Sequence, residues 1–313
     1  MKNNQINRVL GSMNSFREAK YQRNEVLPEL LKLQSEMVQL TFGDREDAAD
    51  LKIYDVAAEL KRRNEMSGNA AGAEFERLDF EMFQLGNEIR ALISGNKGEA
   101  KAFYALLGIH NPKIILQNVE LEENGIHTEL DAVVITPKVA AIIEVKNTRG
   151  NVLISEDGVY YRVGETLKKD SEIAEKMQLR ERFLKKLLAK NGITDVPVQS
   201  ILVFTNDYIE VRNKCPDIKT CFVNLLADTV ENLETKETMD WEKRKEIEDL
   251  VREATKVNAY KMRFNADQLK VDFATVLVKL EEAETANETA HRGWWKKMKN
   301  NFHERLAKLF KTA

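Results

Sequence analysis

The stretch Thr128–Asn147, TELDAVVITPKVAAIIEVKN, decides how the rest of the chain is read. Two apolar, β-branched runs, Ala132–Ile135 and Val139–Ile143, flank Thr136-Pro137-Lys138. Proline presets the backbone angle needed at the second position of a turn, so an antiparallel hairpin is predicted. Its arms carry charges where a buried sheet normally avoids them: Asp131 on the first, Glu144 and Lys146 on the second. A turn centred between Pro137 and Lys138 sets Asp131 directly opposite Glu144. Side chains alternate along a strand, so Lys146 shares the face of Glu144.

Two carboxylates facing each other at about 5 Å repel by roughly 3 kcal/mol at an effective dielectric near 20. In a buried salt-bridge cluster Lys146 could neutralise one acid. It cannot neutralise both and also offset the desolvation of three ions, which costs several kcal/mol each. A divalent cation between the acids reverses the sign, since Mg²⁺ and Mn²⁺ prefer carboxylate oxygens. The nearby ammonium can orient or help deprotonate an attacking water. A Lewis acid beside an activated nucleophile is the machinery of phosphodiester hydrolysis. Asp131, Glu144 and Lys146 are therefore the expected site. Glu129, two residues before Asp131, is a competing acid on the same alternation, but it does not lie opposite Glu144.

The spacing D-x12-E-x-K resembles the PD-(D/E)xK nuclease superfamily. The surrounding residues resemble more narrowly its nuclease-related domain, NERD: Gly98-Glu99, ELDAVVI, IIEVKN followed by Gly150, Gln178, and VQSILVFTN. The likeness covers roughly residues 95–228. It implies an α/β, restriction-endonuclease-like core with a central mixed sheet, and a metal-dependent deoxyribonuclease activity. It further implies that Glu99 completes the metal site, that the Val145 carbonyl is a further ligand, and that Gln178 hydrogen-bonds water or phosphate. Two departures bear on Gln178: Arg182 stands where many related nucleases place a tyrosine, and Lys169-Asp170-Ser171 replaces the usual Asn-Pro. Without the resemblance, an acid such as Glu99 in a first helical turn is ordinary.

The 313 residues allow one large domain or two to three smaller ones, and the 32% charged fraction suits many exposed helical faces. A net charge of −3 gives no global attraction to nucleic acid, so any such attraction must be local. Cys215 and Cys221 form no CxxC pair, which points to a reducing cytoplasm without structural zinc. No apolar run is long enough to span a bilayer.

Four segments are expected. In 1–94, Ala71, Phe75, Leu78, Met82, Leu85, Ile89 and Leu92 step by four and three. That seam fits either an internal helical bundle or a coiled-coil arm that joins copies of the chain into a homo-oligomer. Ser94-Gly95-Asn96-Lys97-Gly98 is rich in helix breakers and reads as a joint before the 95–228 domain. Within that domain, Arg149, Tyr160, Tyr161 and Arg162 on an exposed hairpin are either cross-strand pairs or a DNA contact, through phosphates and stacked bases. Arg180, Arg182, Lys185 and Lys186 on the following helix read mostly as a solvated face. The 229–290 segment reads as charged helices ending in a loose joint at 281–290. The tail 291–313, with Trp294-Trp295 and seven Lys or Arg, reads as a helix docked on its own or a partner's core, lying on a membrane surface, or holding DNA. A nuclease-fold scaffold with negligible turnover is the competing functional class.

Overall fold

The structure, a computed structural model, describes residues 2–309 apart from 17–20, 44, 165, 235, 238 and 257–258. Side chains at 2, 24, 288 and 290–309 also lie outside the described set. The three readings of the tail rest on those side chains and so fall outside it, although the backbone is helical to Leu309. No helix among the described residues is long and apolar enough to cross a membrane.

Four helices come first: α1 (Lys2–Ser12), α2 (Arg23–Phe42), α3 (Ile53–Met66) and α4 (Gly72–Leu107). Six strands follow: β1 (Ile114–Glu123), β2 (Ile126–Ile135), β3 (Ala140–Lys146), β4 (Asn151–Ile154), β5 (Val159–Val163) and β6 (Leu167–Glu172). After α5 (Ile173–Lys190) come β7 (Val198–Phe204), β8 (Val211–Asn213) and β9 (Lys219–Phe222). The chain ends in α6 (Leu226–Glu231), α7 (Trp241–Ala254) and α8 (Ala266–Leu309). Two compact units result: 1–91 with 259–313, and 92–258.

In the helical unit the four-and-three periodicity becomes buried surface. Phe75, Leu78, Met82, Leu85 and Ile89 of α4 are buried, as are Leu269, Phe273, Val276 and Leu280 of α8. Ion pairs from Arg77 to Asp272 and from Lys279 to Glu74 join α4 to α8, and Arg63 to Glu284 (2.7 Å) joins α3 to α8. Asn265 caps α8, its Oδ1 accepting the N–H groups of Asp267 (3.0 Å) and Gln268 (3.1 Å).

The α/β unit is built on a five-stranded sheet of order β1-β2-β3-β7-β9. β1, β2 and β3 run antiparallel, while β3, β7 and β9 run parallel. The β1–β2 turn uses Asn124 and Gly125, both at positive φ (52° and 77°), as a tight hairpin turn demands. In the central hairpin Ala132 lies opposite Ile143 and Ile135 opposite Ala140. One further step sets Asp131 against Glu144, the register expected from the proline turn. One face packs on α5 and α7 through Ile142, Leu184, Ile247 and Val251. The other packs on α4 and α6 through Ile143, Ala102, Leu106 and Leu226. A second sheet, β6-β5-β4-β8, buries Val152, Ile154 and Tyr160 against Phe204 and α5.

Several segment expectations are redrawn. α4 runs unbroken through 94–98, where a joint was expected. A helical glycine costs only about 1 kcal/mol relative to alanine. Gly98 is also required, since a Cβ there would lie 2.8 Å from Asn147 Cβ. The 229–290 segment is shared out: α7 buries Ile247 in the α/β unit, and α8 belongs to the helical unit. The loose joint at 281–290 is helix, because Ala and Glu favour it and Thr285 and Thr289 bond back to the carbonyls four residues earlier (both 2.8 Å). At the start of α7, Trp241 is exposed beside Arg244, and Met239 just before it is buried.

Candidate active site at the open end of the sheet

The carboxyl ends of the parallel strands β3 and β7 are drawn together where the Thr205 N–H donates to the Lys146 carbonyl at 3.1 Å. α4 closes on this end through Gly98, whose missing side chain admits Asn147 and Thr205. Lys101 Nζ donates to the Thr205 carbonyl (2.9 Å) and Asn147 Nδ2 to the Ser94 carbonyl (2.8 Å). That packing brings Glu99, one residue beyond Gly98, near enough for its charge to act on Asp131.

Asp131 sits where the β1–β2 ladder lapses. Pairing passes from Gln117–Ala132 to Val119–Leu130 and skips the step between, where Asn118 has φ 52°. Strict alternation also fails here, since Leu130 and Val133, three residues apart, reach the same core. The Val145 N–H donates to Asp131 Oδ2 at 2.7 Å. Burial, then the charge of Glu144, and also that of Glu99, push the Asp131 carboxyl up to about 7, against the lowering effects of the Val145 N–H and Lys146.

Glu144 is 4% exposed and lies between two cations. Lys146 Nζ donates to its Oε1 at 2.7 Å, and Arg180 Nη2 stands 3.1 Å from its Oε2 without hydrogen-bond alignment. Burial works against the charge on Lys146. Glu144 and Asp131 more than offset it, so the ammonium is held above its ordinary range. In this state Lys146 is a donor and an electrostatic stabiliser rather than a base.

The other expected residues are distributed unevenly. Val145 engages the site through its N–H, which donates to Asp131. Gln178 is exposed on α5, two residues from the side chain that does reach Glu144. Tyr160 is 2% exposed and stacks on Phe204 (centroids 6.4 Å apart), so it is core and cannot stack on a base. The expectation of an exposed hairpin fails there because one face of β4–β5 packs on Phe204 and α5. Tyr161 is half-buried, Arg162 lies 3.1 Å from Asp170, and Arg149 is exposed.

Arg180 is the residue missed by the sequence reading, which placed it on a solvated face. The signal was present: Ile173, Met177, Leu184 and Leu188 form the buried stripe of α5, and Arg180 occupies its gap, three after Met177 and four before Leu184. This second cation also revises the charge balance, because Lys146 is no longer alone in offsetting the acids. Among the described residues of the α/β unit, Glu144 Oε2, Arg180 Nη1 and Thr205 Oγ1 are buried without a hydrogen-bond partner in the protein. All three lie around this one end of the sheet.

The donor set is all oxygen, and the charge a cation would bring is the charge that Asp131 lacks. Asp131 and Glu144 thus fit a two-carboxylate seat for a hard divalent ion. Among the described residues no group of three or more Asp, Glu, His or Cys side chains is gathered closely enough to hold a metal, so Glu99 is not a member of a preformed cluster.

Residues 94–205 match the family model described as the nuclease-related domain. No curated protein and no solved structure matches the chain. The match begins on α4 just before Gly98, takes in the hairpin with its opposed acids, and ends at Thr205 against Lys146. That segment of the chain matches the nuclease-related domain, NERD, and its acids and lysine are consistent with the PD-(D/E)xK type.

Proposed function

We propose that this domain hydrolyses phosphodiester bonds in DNA with the help of Mg²⁺ or Mn²⁺. The observation that carries the reading is the concentration of unmet need at one place: opposed acids, two cations and the unpartnered buried atoms of the unit. Stable cores rarely leave such groups unsatisfied, and functional sites do. Asp131 and Glu144 would hold the ion, which supplies Lewis acidity at a phosphoryl oxygen. Lys146, kept as an ammonium, orients the attacking water and donates to the charge that develops on phosphorus. Glu99 adds negative potential from the edge of the site.

The test is cleavage of single-stranded, duplex and branched DNA across a Mg²⁺ and Mn²⁺ titration. Wild type is compared with Asp131→Ala, Glu144→Ala and Lys146→Ala, each checked for folding. Each variant is expected to lose cleavage by about 10³-fold or more, in line with removing a main electrostatic element of a site. Undiminished cleavage in all three would refute the assignment.

One observation favours a second reading. Glu144 is already matched by Lys146 and Arg180, as in a structural charge cluster, so a nuclease-fold scaffold that binds DNA or a partner without turnover is the alternative. Wild-type protein that binds oligonucleotides but cleaves none under any metal condition would select it. Membrane attachment through the tail is a separate proposal, tested by liposome flotation with and without 291–313.

A further inference from the structure

Arg180 satisfies part of its guanidinium within the protein and leaves part unmet. Nε donates to the Glu129 carbonyl at 2.8 Å, and Nη2 faces Glu144 Oε2 at 3.1 Å. Nη1 is buried and has no partner in the protein. An arginine cannot escape such a position by losing its proton, because it stays charged at any ordinary pH. Nor is it free to turn elsewhere, since the bond from Nε to the β2 backbone pins the plane of the fork. Glu181, the next residue on α5, is turned to the Ser200 N–H (2.9 Å) and hydroxyl (2.7 Å) and supplies no acceptor to it. The leftover donor therefore belongs to a fixed, planar cation that faces Glu144 Oε2 while Lys146 holds Oε1. The chemistry that completes it is an anionic oxygen, such as that of a phosphate, which takes a charge-assisted hydrogen bond from the one nitrogen left over.

We propose that Arg180 is the phosphate-binding side chain of this site, its Nη1 reserved for a non-bridging oxygen of a nucleic-acid phosphodiester. The inference rests on the reading that the site acts on phosphodiesters, and it gives Arg180 the ligand-facing place that the resemblance implied for Gln178. Arg180 ties substrate position to Glu144, because one guanidinium touches both. Lys146 remains the group nearest the developing charge, and Arg180 sets where the phosphate sits.

The test uses the full chain with Arg180→Gln and Arg180→Lys. Fluorescein-labelled single-stranded and duplex DNA, and an RNA of the same sequence, are titrated by anisotropy in EDTA and in Ca²⁺, with inorganic phosphate as competitor. Cleavage under Mg²⁺ or Mn²⁺ is then separated into kcat and KM. Arg180→Gln is expected to weaken oligonucleotide binding about tenfold or more and to raise KM similarly, the loss expected for one charge-assisted hydrogen bond. Arg180→Lys keeps the charge beside Glu144 but not the fork, and should still lose about tenfold. If Arg180→Gln does not fold, Arg180→Lys decides alone. Variants that lose melting temperature yet keep wild-type binding and KM would overturn the inference and leave a purely structural arginine. Wild-type protein that binds no oligonucleotide would overturn it too. Binding that depends on Arg180 without any cleavage upholds it while overturning the hydrolytic reading. Cleavage with an unchanged KM in both variants does the reverse. DNA and RNA bound alike, both displaced by phosphate, identifies the phosphodiester as the recognised group.

Discussion

Asp272, buried in the helical unit, and Asp131, partly buried in the α/β unit, are both acids drawn away from water, and their surroundings differ. Asp272 accepts both arms of the Arg77 fork and a bond from Gln268 (2.9 Å), so its charge is met by geometry that suits it. Glu88, also buried, receives the Tyr260 hydroxyl and faces Arg263 at 3.6 Å. Asp131 receives one peptide N–H and stands against the charges of two other carboxylates. A buried acid with its own cation holds helices together. A partly buried acid opposed by acids works against the fold and is kept for what it can bind or transfer.

The comparison predicts opposite signs for the same conservative substitution. Asp131→Asn should remove cleavage by about 10³-fold or more, the largest effect expected. It should also raise the melting temperature of the metal-free protein at pH 8.5. The Asp131 carboxyl is raised from 3.8 to about 7, so its contribution to stability is full below about pH 4 and lost as pH rises through 7. The amide removes that loss, and the two proteins should melt alike near pH 4. Asp272→Asn should do the contrary, costing about 1.5–3 kcal/mol through its lost charge-assisted bonds. Chemical denaturation of both variants in EDTA checks the pair, and equal signs would erase the distinction.

Two further substitutions sharpen it. Gly98→Ala pushes a methyl towards Asn147 and Thr205, where the approach is already 2.8 Å and 3.2 Å. Overpacking of this kind should cost about 1–3 kcal/mol, and cleavage should fall along with stability because α4 carries Glu99. Tyr260→Phe withdraws the hydroxyl from buried Glu88 and should cost about 1–3 kcal/mol without touching cleavage.

Glu81 departs from this pattern inside the helical unit, and it should give the smallest effect. Burial, then the charge of Asp272, raises its carboxyl to about 7, and its Oε2 has no partner. Its stabilising contribution is therefore present below about pH 4.5 and lost as pH rises through 7. Glu81→Gln should raise the melting temperature by a few degrees at pH 8 and leave it unchanged at pH 4.5. A melting temperature that falls at pH 8 would place Glu81 with the matched acids instead.

Local rules carried much of the fold. The proline turn, period-two apolar runs and Asn124-Gly125 made the hairpins legible, and the period of three and four made the seam of α4 legible, because these patterns depend only on neighbours in the chain. The opposition of Asp131 and Glu144 was legible for the same reason, since a turn centre fixes a register. Tyr160 was misjudged because burial of a strand face depends on what lies beneath it, here Phe204 from a strand some forty residues later. The helix break expected at 94–98 was misjudged because tertiary packing on Gly98 outweighs a weak local preference against helix, although the division between the two units, at 91–92, falls close to that position.

The amino-acid sequence by itself determined that two acids and a lysine share one hairpin, that helices flank it, and that the hairpin belongs to a nuclease-related segment. Only the tertiary structure decided which charges answer those acids. Arg180 lies on α5, well beyond the hairpin in sequence, and meets Glu144 only when α5 packs across β3. Pairing energies fall off over a few ångströms, so a charge balance drawn from chain neighbours omits any partner that folding alone delivers.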